Sequence, residues 1–197
     1  GEEYDVTGAG YEPEGEFLRD GAPAELSDPV RLLLAAGALA SDAELVRVDN
    51  RWRVKGDPTE AALVVAAAKA GLHKSNLEAR SPRVNEIPFT SETKRMTTLH
   101  RRAEGLVAYS KGAPEVIREA SDRVLNAEGI EVPFDEAARQ SVISVGRRWA
   151  ASAMRVLAIA YKPNVTLDQA QQGMTYLGLV GMIDPPRAEA KDAICTC

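Results

Sequence analysis

The sequence predicts an α+β domain in which helices flank a mostly antiparallel sheet. Three observations carry that expectation. Segments of alternating apolar and polar residues are short and come in pairs around turn residues, which is the pattern of hairpins. Runs with helical spacing lie between those pairs, so helices and strands interleave along the chain. The composition, 45% hydrophobic and 27% charged over 197 residues, supports a single folded core and excludes a disordered or fibrous chain.

Taken in order, residues 1–28 read as acidic strand and loop, with turn signals at Gly8, Gly10, Pro13 and Gly15. Ser27 or Asp28 is placed to cap a helix whose apolar run 30–39 is too continuous for a solvent-facing helix, which predicts burial on most sides. Residues 45–48 and 52–54 alternate about Asp49-Asn50 and predict a hairpin. Asp57-Pro58-Thr59-Glu60 is a helix start: Asp57 as N-cap, Pro58 in the first position, Glu60 reaching back as the far side of a capping box. That helix is predicted to run to about Ala70, with Gly71 closing it.

Strands are predicted at 84–87, 96–101 and 106–110, the last two joined at Ala103-Glu104-Gly105. Pro114 opens a short helix ending near Ala120, and a longer one covers 135–152, with Ala138, Val142, Val145 and Trp149 at helical spacing. Residues 156–161 and 176–182 supply the closing strands. At Asp184-Pro185-Pro186-Arg187 two prolines remove two backbone donors and fix two φ angles, which breaks whatever precedes them. The domain is therefore expected to span 1–183, and 184–197 to be a hinge and the start of another domain.

The net charge of −5 argues against a nucleic-acid partner, and its distribution is uneven. Residues 1–28 hold nine Asp or Glu and only Arg19, whereas residues 80–102 hold six Lys or Arg against Glu86 and Glu92. A local basic patch on an acidic protein suits a small anionic ligand better than a polymer. No apolar run approaches the roughly 20 residues that cross a bilayer, so no direct membrane contact is expected, and the acidic N-terminus is not that of a signal peptide. Cys195 and Cys197 form a C-x-C pair at the chain end, readable as metal ligands or as part of a reduced cytosolic segment.

Common phosphate loops are missing: there is no G-x-x-x-x-G-K, and Gly8-Ala9-Gly10 lacks the third glycine of a dinucleotide fingerprint. His73 and His100 are too isolated for a metal centre. Ser91 and Ser110 have no histidine at a suggestive spacing, so nucleophilic catalysis is not expected. The N-terminal acids lack the D-x-D-x-D-G order of a calcium loop and read as a solvated face.

Four strings do stand out. Gly56-Asp57-Pro58-Thr59-Glu60, Phe89-Thr90-Ser91-Glu92-Thr93-Lys94-Arg95-Met96, Lys111-Gly112-Ala113-Pro114-Glu115 and Asp184-Pro185-Pro186-Arg187, in this order, resemble the nucleotide-binding domain of P-type cation-transporting ATPases. The resemblance runs from about Tyr11 to the C-terminus. Asp-Lys-Thr-Gly-Thr, the string that carries the phosphorylated aspartate of that family, is absent. The ending Lys94-Arg95-Met96 is more similar to bacterial and organellar calcium pumps and fungal sodium pumps than to animal sodium/potassium pumps.

The resemblance assigns roles that the residue types alone leave open. Phe89, after Pro88 and inside the basic stretch, either packs in the core or lies exposed beside cations; the resemblance implies that it stacks on adenine. Met96 either lines that pocket or is simply an inward strand residue. Lys94 is a solvated cation or, by resemblance, a phosphate ligand. Lys111 ends a strand before Gly112, which permits close backbone approach, and the resemblance implies that its ammonium projects into a pocket beside the nucleotide. Glu60 is a helix cap or the acceptor for the adenine amino group. Arg155 is an exposed strand-edge cation or a phosphate contact.

The resemblance therefore implies a module that binds ATP with Mg²⁺ and presents the γ-phosphate to an aspartate on a neighbouring domain. It would be a cytoplasmic domain of a membrane pump, calcium the ion its branch suggests, working beside phosphorylation and actuator domains and without turnover alone. Two rivals are an interaction module that keeps the fold without the nucleotide and an autonomous phosphatase or kinase.

Overall fold

The computed structural model describes residues 1–183. In chain order they form β1 (Asp5–Val6), β2 (Phe17–Arg19), β3 (Ala22–Pro23), α1 (Asp28–Leu39), β4 (Glu44–Val48), β5 (Arg51–Lys55), α2 (Pro58–Lys69), α3 (Lys74–Arg80) and β6 (Arg83–Ile87). There follow β7 (Arg95–Arg102), β8 (Gly105–Gly112), α4 (Pro114–Glu119), β9 (Ser121–Leu125), β10 (Glu131–Pro133), α5 (Glu136–Ala151), β11 (Arg155–Pro163) and β12 (Met174–Met182). The hinge residues Asp184, Pro185, Pro186 and Arg187, and the cysteine pair, lie outside the described residues.

Strand β11 explains the layering. Ile159 packs with Ala36, Leu39, Leu63 and Tyr109, whereas its neighbours Ala158 and Ala160 pack with Ile117, Phe134, Met174 and Tyr176. Successive strand residues point to opposite faces, so the sheet is covered on both sides, by α1, α2 and α3 on one and by α4 and α5 on the other. Its seven strands run in the order β10-β9-β12-β11-β8-β7-β6, and every neighbouring pair is antiparallel except β12 with β9. The predicted α+β architecture is the observed one.

Helix α1 is buried along Leu34, Ala36, Ala38 and Leu39, as its continuous apolar run requires. Its N-terminus differs from expectation. Ser27 is the N-cap residue but makes no side-chain cap, because its hydroxyl donates to the Glu2 carboxylate at 2.5 Å. The acidic N-terminal segment is likewise more than a solvated face: Glu3 accepts from Arg148 at 2.5 Å and from the Trp149 indole at 3.1 Å, and Lys69 donates to the carbonyls of Thr7 and Gly8. These ties fix β1 to β3 against α2 and α5.

Helix α2 begins as predicted, with Asp57 Oδ1 accepting from the N–H groups of Thr59 at 2.8 Å and Glu60 at 3.3 Å. It ends as predicted too, since Gly71 adopts φ +74° just beyond the C-cap Ala70. Partial burial opposes ionisation of Asp57, but the two N–H donors outweigh it and hold the carboxyl below its ordinary 3.8. A carboxyl depressed by folding stabilises above its unfolded pKa and loses that contribution as pH falls through the folded value. Asp57→Ala is accordingly expected to cost about 1 kcal/mol at pH 7. The deficit should shrink below pH ~4, as urea denaturation at the two pH values would register.

The β4–β5 hairpin turns on Asp49 and Asn50, both at positive φ, the geometry that favours short polar side chains. Three elements have no counterpart in the predicted set. Helix α3 carries no side-chain cap and buries no residue fully, so it leaves little periodic signal. Strands β9 and β10 are short, and β10, ending in Pro133, occupies the sheet edge where a missing N–H is tolerated.

Candidate functional site

Antiparallel pairing brings three strand ends together. Registers Arg95↔Gly112, Met96↔Lys111, Gly112↔Ala158 and Lys111↔Ile159 place the start of β7, the end of β8 and the start of β11 at one end of the sheet. The N-terminus of α2 lies against that end: Arg155 Nη1 donates to Thr59 Oγ1 at 2.5 Å, and Lys111 Nζ pairs with Glu60 Oε1 at 2.6 Å. Glu60, Met96, Lys111, Gly112 and Arg155, separated by up to 95 positions in sequence, therefore form one cluster. The connection from β6 to β7, which carries Phe89 and Lys94, closes against it through the Ala113 N–H, which donates to the Lys94 carbonyl at 2.9 Å.

Glu60 is not the far side of a capping box. Its Oε2 accepts from the N–H groups of Asp42 at 2.7 Å and Ala43 at 3.0 Å, outside its own helix, because the turn after α1 approaches closely enough to compete. Lys111 also departs from expectation: its ammonium points inward. With its side chain 8% exposed, it donates to Glu60, to the Ala40 carbonyl and to Ser41 Oγ at 3.3 Å, with Met96 Sδ at 3.5 Å. An ammonium has three donors, so none is left over for a ligand unless one of these contacts opens. Burial pulls the Lys111 pKa below its ordinary value, opposed by the Glu60 carboxylate beside it.

Phe89 does not pack in the core; it is 60% exposed. Met96 is buried and sits with its sulfur against the Lys111 ammonium, so its inward reading and its place beside the pair coexist. Lys94 is exposed, at φ +48°, and its ammonium has no hydrogen bond or ion pair among the described residues. Gly112 is required by contact: a Cβ there would lie 2.4 Å from the Lys94 carbonyl oxygen and 2.8 Å from Arg95 Cα, both backbone atoms. Gly112→Ala is expected to push the Phe89–Lys94 connection off the β8 end, costing about 1–3 kcal/mol, measurable by denaturant titration.

Chemically the cluster offers an exposed aromatic face, a carboxylate with unused acceptor capacity among the described residues, and cations on the rim. Among the described residues there is no group of three or more His, Cys, Asp or Glu able to hold a metal ion. No described helix is long and apolar enough to cross a membrane.

A family model described as P-type ATPase, cytoplasmic domain N, matches residues 29–189. The chain belongs to this family. It is 34% identical over 205 residues to the calcium-transporting ATPase of Bacillus subtilis (strain 168), an alignment covering 100% of this chain and 23% of that protein. It is 36% identical over 214 residues to cation-transporting ATPase pma1 of Synechocystis sp. (strain ATCC 27184 / PCC 6803 / Kazusa), covering 100% and 23%. Against probable cation-transporting ATPase F of Mycobacterium tuberculosis (strain ATCC 25618 / H37Rv) identity is 38% over 204 residues, covering 99% and 22%. The chain thus spans less than a quarter of the length of these relatives.

A cleft of about 450 Å³ in this N domain lies away from the cluster. It is lined by Arg95, Glu119, Gln171 and Gly173 on the α4 side of the sheet, one residue along β7 from Met96 and therefore on the opposite face. We place the candidate site at the Glu60–Lys111 pair, because the exposed ring, the buried ion pair and the two rim cations converge on that end of the domain and not on the cleft. Ser41, Asp42 and Ala43, whose backbone and side chain surround the pair, carry no sequence signal, since backbone groups are offered by every residue type. Thr59 lies inside a motif but reveals its part only through the Arg155 contact.

Proposed function

We propose that this N domain binds ATP as its magnesium complex. The observation that carries the reading is Phe89: a phenylalanine ring 60% exposed, at the sheet end that also holds the Glu60–Lys111 pair and the exposed Lys94. The ring stacks on adenine, Glu60 accepts from the exocyclic amine, and Lys94 and Arg155 reach toward phosphate oxygens. Lys111 holds Glu60 in place, and Met96 lines the floor. Gly112 lets the Lys94 segment approach. Magnesium enters as part of the substrate and neutralises phosphate charge, with no protein ligands assigned to it.

The parent would be a cation pump, calcium being the ion named for the Bacillus relative, and the domain would sit on its cytoplasmic side, working with phosphorylation and actuator domains. Residues 1–183 form the nucleotide module, and Asp184-Pro185-Pro186-Arg187 starts the hinge toward the domain that bears the phosphorylated aspartate. Because the β12 end pairs with Arg155, the chain leaves from the same end as the cluster, where a swing about the hinge would carry bound nucleotide toward that aspartate. Phosphoryl transfer depends on positioning and charge neutralisation, so the isolated domain binds without hydrolysing. The chain also lacks the Asp-Lys-Thr-Gly-Thr string.

A titration with MgATP followed by amide shifts should give saturable changes centred on Phe89, Lys94 and Glu60, with no phosphate release. Absence of any shift in the folded domain would favour the interaction-module reading. Steady hydrolysis that survives purification would favour an autonomous phosphatase or kinase.

A further inference from the structure

Helix α1 ends at Leu39 with no basic residue in its own last turn, although the final carbonyls of a helix are unsatisfied and carry partial negative charge. Three other elements supply the missing cations. Lys111 from β8 takes the Ala40 carbonyl. Lys74 from α3 donates to the carbonyls of Ser41 at 2.7 Å and Ala43 at 3.0 Å. Arg83 from β6 donates through Nη2 to Leu39 at 3.1 Å and Ser41 at 2.8 Å, and through Nη1 to the Asp42 carboxylate at 2.6 Å and that of Glu86 at 2.8 Å.

The Ser41 carbonyl and the Asp42 N–H belong to one peptide unit, planar and trans, so they point in opposite directions and turn together. Lys74 and Arg83 hold the carbonyl end of that unit, and the N–H end is the 2.7 Å donor to Glu60 Oε2. With the Ala43 N–H at 3.0 Å, that oxygen has both acceptor sites filled. An ionised carboxylate has about four such sites. Lys111 fills one on Oε1, which among the described residues leaves a single acceptor whose direction is set by the grip on residues 39–43.

We infer that Lys74 and Arg83 are positioning residues that aim the one free acceptor of Glu60 and thereby set the domain's preference for a purine bearing an exocyclic amine. The inference rests on the nucleotide reading above and goes further, assigning base selectivity to two cations that among the described residues pair only with the α1 turn, Glu78 and Glu86. Removing either leaves the turn free to rotate, so the acceptor loses its aim while the stacking ring and the phosphate contacts are untouched.

The test compares MgATP with magnesium inosine triphosphate, which carries an oxygen where adenine has the amine, on this chain and on Lys74→Met, Lys74→Arg and Arg83→Lys, each checked by circular dichroism and thermal melting. The unmodified chain should prefer ATP by roughly tenfold or more, the value of one charge-assisted hydrogen bond. Lys74→Met should lose most of that preference by weakening ATP alone. Lys74→Arg should restore it. Arg83→Lys, which keeps the charge but loses the two-pronged grip, should lower the preference as well and serves if Lys74→Met does not fold. Loss of a cation near the phosphates would weaken both nucleotides equally, so a parallel decline at constant ratio overturns the inference. An amine preference that the variants retain overturns the inference alone. Failure of the unmodified chain to bind either nucleotide overturns the nucleotide reading together with it.

Discussion

Lys111→Met is expected to destabilise the domain by about 3–5 kcal/mol, the range for removing one partner of a buried ion pair. The substitution leaves the Glu60 carboxylate 15% exposed and without its counter-charge, and it orphans the Ala40 carbonyl and the Ser41 hydroxyl. For a domain of this size the melting midpoint should fall by roughly 6–20 °C. Adding Glu60→Gln should recover much of the loss, because the stranded charge is then gone and most of the measured cost belongs to it. A single variant that melts within about 2 °C of the unmodified chain would mean that Glu60 is better hydrated than its geometry indicates. The pair is therefore better understood as a fixed point for the site than as a source of stability, and the recovery in the double variant distinguishes the two.

The second large effect is on binding. Phe89→Ala is expected to weaken ATP by about 1–3 kcal/mol, or roughly 5-fold to 150-fold in Kd. The ring is 60% exposed, so its loss should change stability by no more than about 0.5 kcal/mol. That separation is the informative part: a core phenylalanine would cost several kcal/mol in folding and act on binding only indirectly. Titration of the variant followed by tryptophan fluorescence or amide shifts, beside a denaturant melt, gives both numbers. Unchanged affinity would remove Phe89 from the adenine role.

Much of the fold was legible because its signals are local. Asp57, Pro58 and Gly71 bracket α2 through capping and φ preferences that act within one turn, and Asp49-Asn50 marks a hairpin by the same logic. Helix α3 and strands β9 and β10 were not legible. They are short, and what holds them is contact with distant segments, such as the parallel pairing of β9 with β12. Ser27 shows the limit of a propensity: its hydroxyl could cap α1 but is taken by Glu2, a residue 25 positions away.

The candidate site divides in the same way. Its motif residues, Glu60, Phe89, Lys94, Met96, Lys111 and Gly112, could be nominated from the chain because each sits in a string whose residue types and spacing are visible in one dimension, and Arg155 by the resemblance those strings carry. Sequence alone also determined the class, the charge distribution and the family. Only the tertiary structure decided what those residues do to one another: that Glu60 faces the α1 turn and not its own helix cap, that Lys111 turns inward with its donors spent, and that Phe89 stands in solvent. It also brought in Lys74 and Arg83, which no motif contains. The physical reason is that capping and turn preferences are energies of neighbouring peptide units, whereas ion pairing, burial and the aim of a lone pair depend on which distant backbone groups the sheet register brings within three ångströms.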